Sequence, residues 1–402
     1  ARERMPSAAA RLTYGSVTCC CIHALLLLFL FAGKTALAQT TVGSSTSQTN
    51  GVYPDVPFLL ITPDARAGAM GEAGVAVMPD GNAMSINPAK LAFLEKPYGV
   101  SLSYSPWLKN LVPDINLAYL SGFYQLDNRT VIGASLRYFS LGDIALIDEN
   151  QNPQGTFNPN ELAFDATYSR KFGENFSLGT SARFISSNLT SAQIGGSQQK
   201  AGIAVAVDVS AFFKKPTVLF GKDAILSAGL NLSNIGTKMS YAETQNKRFL
   251  PANMKLGGAS TFIIDDYNQF TFALDFNKLM VPTEPVRDIN GEIVAGKDPF
   301  RSVPSGILGS FADAPGGFKE ELKEIGISTG IEYTYNQQFA VRAGYFYENP
   351  QKGDRRYLTV GGGLKYNVFN LDFSYLIANA QNSPLANTLR FTLAWAIDNV
   401  SK

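Results

Sequence analysis

The chain has 402 residues, 34 Lys and Arg against 33 Asp and Glu, 17% charged residues, 36 Gly, 17 Tyr, 27 Phe and a single His. The near-neutral balance excludes a nucleic-acid-binding surface as the default, since phosphate recognition needs an excess of cations. Charge well below the roughly 25% of an ordinary soluble domain, with Gly and aromatic residues in excess, points to strands with one lipid-facing side.

Residues 1–38 read as an export signal. Arg2, Arg4 and Arg11 form the basic start, Ile22 to Ala32 the apolar run, and Ala36-Leu37-Ala38 the small-x-small cleavage site before Gln39. The run is shorter than the ~20 residues of a spanning helix. Cys19, Cys20 and Cys21 precede it, whereas a lipoprotein signal would place Cys directly after it. Removing the segment takes away Arg2, Arg4, Arg11, Lys34 and Glu3, every Cys and His23, and leaves 30 basic and 32 acidic residues. Ser-His-Asp and Cys-His nucleophile systems, histidine proton shuttles and the usual zinc sites then lack their side chains, and disulfides cannot form. No enzyme, metal or cofactor is expected.

Residues 39–98 do not alternate between polar and apolar. Thr40 to Asn50 is polar and rich in Gly, Ser and Thr. Beyond it, Gly68, Gly71 and Gly74 with neighbouring alanines allow close backbone approach, as a segment inside a confined lumen requires. Asp64, Arg66 and Glu72 are expected to pair with lumenal charges, because a buried ion needs a partner. No GxxxxGK[ST] and no βαβ unit accompanies the glycines, which argues against nucleotide binding.

From residue 99 to 397 the signal is period-two alternation. Ile203, Val205, Val207 and Val209 alternate with Ala204, Ala206, Asp208 and Ser210; Phe270, Phe272, Leu274 and Phe276 with Thr271, Ala273 and Asp275. Fourteen such segments are predicted, at 99–105, 115–124, 130–139, 161–172, 176–186, 200–212, 224–232, 254–262, 269–276, 323–335, 338–347, 357–366, 370–378 and 384–397. Their lengths suit the ~9–11 residues that cross a bilayer. The connections run long, short, long, short, except that 213–223 is long and 379–383 short for its class. A sandwich has no reason for that rhythm; a membrane barrel has short periplasmic turns and long outer loops, which puts both chain ends in the periplasm. Phe172, Phe176, Tyr333, Tyr335, Tyr345, Tyr347, Tyr357 and Tyr366 lie near segment ends and suit aromatic girdles. The expectation is an all-β, 14-stranded antiparallel transmembrane barrel over 99–402, with 39–98 as N-terminal extension and lumenal plug.

Inward positions carry Arg137, Arg183, Lys255, Arg342, Lys365 and Arg390 against Asp165, Asp208, Asp275, Glu332 and Asp372, a mixed lumen suited to pairing with itself or with a plug. Asp265-Asp266 is a tempting carboxylate pair but reads better as a solvated turn before Tyr267-Asn268. The connection 277–322 far exceeds the usual length and combines apolar residues with Pro282, Pro285, Pro299, Pro304 and Pro315. Phe300, Phe311 and Phe318 are singled out there as a protein-binding surface; the competing expectation is a lid over the barrel mouth.

Four stretches carry a family resemblance. They are Pro63-Asp64-Ala65-Arg66-Ala67-Gly68-Ala69-Met70-Gly71-Glu72-Ala73-Gly74-Val75-Ala76, Asn87-Pro88-Ala89-Lys90-Leu91-Ala92, Asn231-Leu232-Ser233-Asn234-Ile235-Gly236 and Arg342-Ala343-Gly344-Tyr345-Phe346-Tyr347-Glu348-Asn349. In these the chain resembles FadL-like outer-membrane barrels, and most closely the PorV (LptO) family of the type IX secretion system. The resemblance implies an outer-membrane protein beside the large translocon barrel, Sov or SprA. Such a protein receives the C-terminal domain of secreted cargo and shuttles it to the attachment complex of PorU, PorZ and PorQ. A link of the family to lipopolysaccharide deacylation is read as indirect, since no nucleophile and base can be assembled. The alternative is a FadL-like channel for hydrophobic small molecules, with a lumenal apolar pocket and a plug that moves. A hydrolase would have to use Lys or carboxylate bases. Outer-membrane lipid is the expected surroundings, and no nucleic acid is expected as a partner.

Overall fold

The computed structural model describes residues 51–108, 114–148, 150, 152–189, 200–241, 247–378 and 385–397. The export signal, the stretch 39–50, parts of five connections and residues 398–402 lie outside the described residues.

Fourteen strands close into an antiparallel barrel. They are β1 (Tyr98–Pro106), β2 (Ile115–Gln125), β3 (Thr130–Leu141), β4 (Asn160–Lys171) and β5 (Phe176–Asn188). Then follow β6 (Gly202–Leu219), β7 (Lys222–Gly236), β8 (Asn253–Ile263), β9 (Asn268–Leu279) and β10 (Ile325–Tyr335). The last are β11 (Phe339–Tyr347), β12 (Arg356–Tyr366), β13 (Phe369–Ala378) and β14 (Leu389–Ile397). Each strand pairs with its neighbour in sequence, and β1 closes on β14 with Leu102 opposite Leu393. Closure leaves no unpaired sheet edge, the condition for a sheet to live in hydrocarbon.

All fourteen predicted segments are strands, and both exceptions in the loop rhythm disappear. Residues 213–223 are not a connection. Strand β6 runs on to Leu219, and the turn is Phe220-Gly221, both at positive φ, 52° and 75°, the tight hairpin geometry that follows strand twist. At the other exception β14 starts at Leu389 rather than 384, so the connection from Ala378 is longer than the sequence implied.

Alternation sorts the two barrel faces. On β6, Ile203, Val205, Val207 and Val209 are exposed while Ala204, Ala206, Asp208 and Ser210 are buried. An aliphatic belt turned outward and polar groups turned inward is the reverse of a soluble protein, and it matches a sheet whose outer solvent is lipid. Phe172, Tyr335, Tyr345 and Tyr366 are exposed near strand ends, as girdle residues should be. Tyr357 differs: register puts it on the same face as Thr359, so it is buried and points inward.

The lumen is filled by residues 51–97. A 3-10 turn (Pro57–Leu60), a short α-helix (Ala65–Ala69) and two further 3-10 turns (Ala83–Ser85 and Pro88–Phe93) fold back on themselves inside the wall. Val56, Phe58 and Leu59 pack with Trp107, Leu117, Phe139 and Ile185 of the wall. Ala67, Met70, Val75 and Ile86 pack with Ala259 and Ala273. Inward glycines make room: a Cβ on Gly344 would stand 2.1 Å from the Gly71 nitrogen, and one on Gly229 2.1 Å from the Val75 oxygen.

Candidate functional site

The plug is held by hydrogen bonds to strands on every side of the barrel. Ala65 N donates to Thr392 Oγ1 of β14 at 2.9 Å and Gly71 N to Thr359 Oγ1 of β12 at 2.8 Å. Gly74 N and Val75 N both donate to Asp275 Oδ2 of β9, at 2.7 and 2.9 Å. Ala89 N donates to Ser210 Oγ of β6, Asn231 Nδ2 of β7 to Ile86 O, and Arg137 Nη1 of β3 to Leu59 O. A segment bonded to β3, β6, β7, β9, β12 and β14 of a closed barrel can only run through its lumen. The inward Ser, Thr and Asn residues of the wall therefore do a job that sequence reading missed. Their small polar side chains at inward parity replace the backbone partners that an irregular segment lacks.

A chain of charges joins plug to wall. Arg66 binds Glu332 of β10 bidentately, Nε to Oε2 at 2.9 Å and Nη2 to Oε1 at 2.7 Å, and its Nη1 reaches Asp80 at 3.1 Å. Glu332 also takes Arg342 Nε at 2.6 Å, and Arg342 Nη1 reaches Asp372 at 2.6 Å. Glu72 accepts from Tyr357 OH at 2.8 Å and lies 3.5 Å from Arg390. Arg183 similarly joins Asp165, at 2.5 Å, to Asp208, at 2.9 Å. Two expectations from the lumenal charges fail. Lys365 is exposed at the end of β12, beyond the enclosed section.

Asp64 is the second failure, since it makes no ion pair among the described residues. It caps the helix Ala65–Ala69 instead, accepting from Ala67 N at 2.8 Å. One carboxylate oxygen takes the orphan amide of the first helical turn, and the other has no hydrogen-bond partner among the described residues. Burial pushes its carboxyl up to about 6, and the charge of Asp80 adds to the shift. A raised acid is bound to its proton more tightly in the docked plug than in the free chain. Its contribution is complete below the ordinary value of 3.8 and is lost as pH rises through about 6. Protease cleavage at Arg66 is expected to increase between about pH 4 and about pH 7, and Asp64→Asn to flatten that step. A profile identical in both proteins would remove Asp64 as the cause.

Gly68 and Gly71 are where backbone must approach backbone or arginine. A Cβ at Gly68 would stand 2.7 Å from Arg390 Nη1, and Gly71, at φ 65°, lies against Tyr345 N. Gly74 delivers its N–H to Asp275. Asn87 ties the turn Pro88–Phe93 to the glycine-rich stretch before it, with Nδ2 donating to Val75 O at 2.8 Å, and Lys90 Nζ donates to Gly74 O at 2.8 Å. Asp265 accepts from Tyr267 N and Asn268 N at 2.9 Å and forms a turn, and these donors hold its carboxyl below the usual carboxylate range.

The long connection between β9 and β10 is folded. It contains a small hairpin (Val286–Arg287 with Ile293–Ala295) and helices Val303–Gly309 and Phe318–Glu321. Its base is held by Lys278, which contacts Glu321 at 3.0 Å and Glu324 at 2.7 Å, and by Lys352, which contacts Glu320 at 2.6 Å and Glu324 at 2.9 Å. The connection sorts its apolar residues into two sets. Met280, Val281, Val303 and Ile307 pack down against Phe249 and Ala252 as a lid would. Phe300, Phe311 and Phe318 stay 53%, 41% and 74% exposed.

A family model described as type IX secretion system protein PorV matches residues 44–286. No curated protein matches the chain in sequence. Among solved structures, the Pseudomonas putida toluene transporter TodX is similar with a TM-score of 0.50 at 12% identity, covering 84% of this chain and 99% of that one. The CymD monoaromatic hydrocarbon channel gives a TM-score of 0.48 at 14% identity, covering 88% of this chain and 100% of that one. A Pseudomonas aeruginosa FadL homologue gives 0.43 at 11% identity, covering 84% and 98%. At 12% identity the likeness to TodX speaks for the barrel fold alone.

Proposed function

The chain belongs to the PorV family of type IX secretion system proteins, and from that premise we propose that it is a non-enzymatic cargo shuttle of the outer membrane. It binds the C-terminal domain of secreted cargo beside the large translocon barrel, Sov or SprA, and carries it to the attachment complex of PorU, PorZ and PorQ. In this reading the short turns and both chain ends face the periplasm, and the β9–β10 connection faces outside.

The observation that carries the proposal is the contrast between lumen and loop. The lumen is occupied by a plug bonded to strands all round, so cargo has no path through it. The loop offers three exposed phenylalanines on a base fixed by buried ion pairs. Apolar side chains on an already ordered scaffold bind with little further loss of conformational entropy.

Changing Phe300, Phe311 and Phe318 together to Ser is expected to lower co-purification of cargo C-terminal domains by at least about ten-fold, the scale for removing a cluster of interface anchors. None of the three lies in a barrel strand, so the protein should keep its heat-modifiable mobility on gels. The competing channel for hydrophobic small molecules makes the opposite forecast. It would tolerate this change and lose ligand uptake when Gly68, Gly71 and Gly74 are replaced by larger residues. A loop variant that secretes and anchors cargo normally, beside a plug variant defective only in uptake, would overturn the shuttle.

A further inference from the structure

The plug crosses the whole lumen, and its two ends lie at different mouths. Its last residues sit among the tight turns, where Gln125 N, at the end of β2, donates to Pro97 O at 2.7 Å. Its first residues sit at the opposite mouth, among the long connections. Asp55 N donates to Phe249 O at 2.9 Å, and Glu284 N reaches Gly51 O at 3.4 Å. Phe249 belongs to the connection from β7 to β8, and Glu284 to that from β9 to β10. Val52 packs into the apolar cluster of Phe249, Ala252, Met280 and Val281, which Val303 and Ile307 also join.

The two connections meet each other at the same place. Met280 N donates to Ala252 O at 2.7 Å, and Lys238 Nζ donates to Arg301 O at 2.5 Å while standing 4.2 Å from the centre of the Phe249 ring. Val52 also lines the lumenal chamber beside Leu59 and Ile61, so this strap stands between the chamber and the lid.

The residue after the strap is strained. Val56 has φ 49° and ψ 53°, a left-handed backbone that a branched side chain disfavours, and Pro57 after it restricts it further toward extended geometry. Such a residue persists only where its surroundings over-determine it. Here the lid holds Asp55 on one side, and on the other the wall holds Leu59, whose carbonyl accepts from Arg137 Nη1 at 2.8 Å. Val56 itself is buried in the cluster that includes Leu117 and Phe139. Losing the hold on Asp55 lets Val56 relax to extended backbone, which lowers the cost of opening.

We propose that residues 51–55 are a latch hinged at Val56: they lie at the cell-surface mouth and hold both long connections down over the lumen. That this mouth is the cell surface rests on the orientation proposed above, whereas the latch rests on the contacts alone.

No cysteine occurs beyond Cys21, so each cysteine substitution places the only thiol after the export signal. On intact cells, a polymer-linked maleimide too large to cross the outer membrane is expected to label Tyr53→Cys and Ile289→Cys, both at exposed positions. Phe220→Cys, in the β6–β7 turn, is expected to react only after permeabilisation. Labelling of Tyr53→Cys in step with Phe220→Cys would overturn the latch. Labelling of Tyr53→Cys in step with Ile289→Cys, both only after permeabilisation, would sustain the latch and overturn the orientation. The hold on the lid is read on the purified barrel in micelles, from the rate at which a small maleimide reaches Ser310→Cys, a fully buried site in the lid. Adding Val52→Ser is expected to raise that rate about four-fold or more, the effect of about one buried CH2 on a local opening equilibrium. Val52→Ile and Tyr53→Ser are expected to leave the rate unchanged, and heat-modifiable mobility checks that each barrel is folded. A rate that Val52→Ser does not alter, or that Tyr53→Ser raises equally, would overturn the latch.

Discussion

Glu332→Ala is expected to destabilise the folded barrel by about 3–5 kcal/mol, the cost of breaking a buried ion pair by removing one partner. Glu332 is 5% exposed and accepts from Arg66 Nε, Arg66 Nη2 and Arg342 Nε. Without it Arg66 keeps only the Nη1 contacts to Asp80 and to Met78 O, and Arg342 only Asp372. Two guanidiniums that shared one carboxylate oxygen are then left side by side with part of their compensation gone. The loss comes from the uncompensated charge rather than from a large net gain of the intact network, which desolvation offsets. The denaturant midpoint in detergent reads the stability, and cleavage at Arg66 reads plug release. An unchanged midpoint with unchanged cleavage would show that the backbone hydrogen bonds alone hold the plug.

Deleting residues 64–77 is expected to raise conductance in planar bilayers by at least about ten-fold, because a barrel of this strand number encloses a lumen that only an insert fills. The deleted stretch carries the bonds to Thr392, Thr359, Asp275 and Glu332, which lie on β14, β12, β9 and β10. Segments 51–62 and 83–93 remain against β3, β6 and β7, so the opening forms on the opposite side of the lumen. The loop base at Lys278 and Lys352 is untouched, which keeps the lid in place and separates plug from loop as the barrier. Conductance at the level of the intact protein would mean that the lid alone seals the pore.

The two barrel predictions differ in what the sequence could supply. Arg66 was legible as a buried charge in need of a partner, and so was Glu332 as an inward acid, but nothing in their spacing joined them. Residues 266 apart meet only because β10 and the plug share one lumen. Asp64 shows the converse error. Its expected burial called for an ion pair, yet a local hydrogen bond from Ala67 N three residues on is what it makes. The long loop is divided by which side of it each residue occupies. Met280, Val281, Val303 and Ile307 pack beneath it, while Phe300, Phe311 and Phe318 stay exposed although Phe300 and Phe311 flank the packed pair Val303 and Ile307.

The sequence alone determined the barrel, its strand number and which face of each strand meets lipid, because a period of two is imposed by the pleat and needs no knowledge of neighbours. It also determined that an irregular glycine-rich segment precedes the barrel. The tertiary structure alone decided the rest: that β6 runs on to Leu219, that Tyr357 faces Glu72, that Asp275 receives Gly74, and that Asn231, Lys255 and Asn277 form one row. These depend on register, and register is set by the whole closed ring of strand pairs acting together. A shift of one residue between any two strands would turn every inward group of one of them out to lipid, so no single segment carries the information.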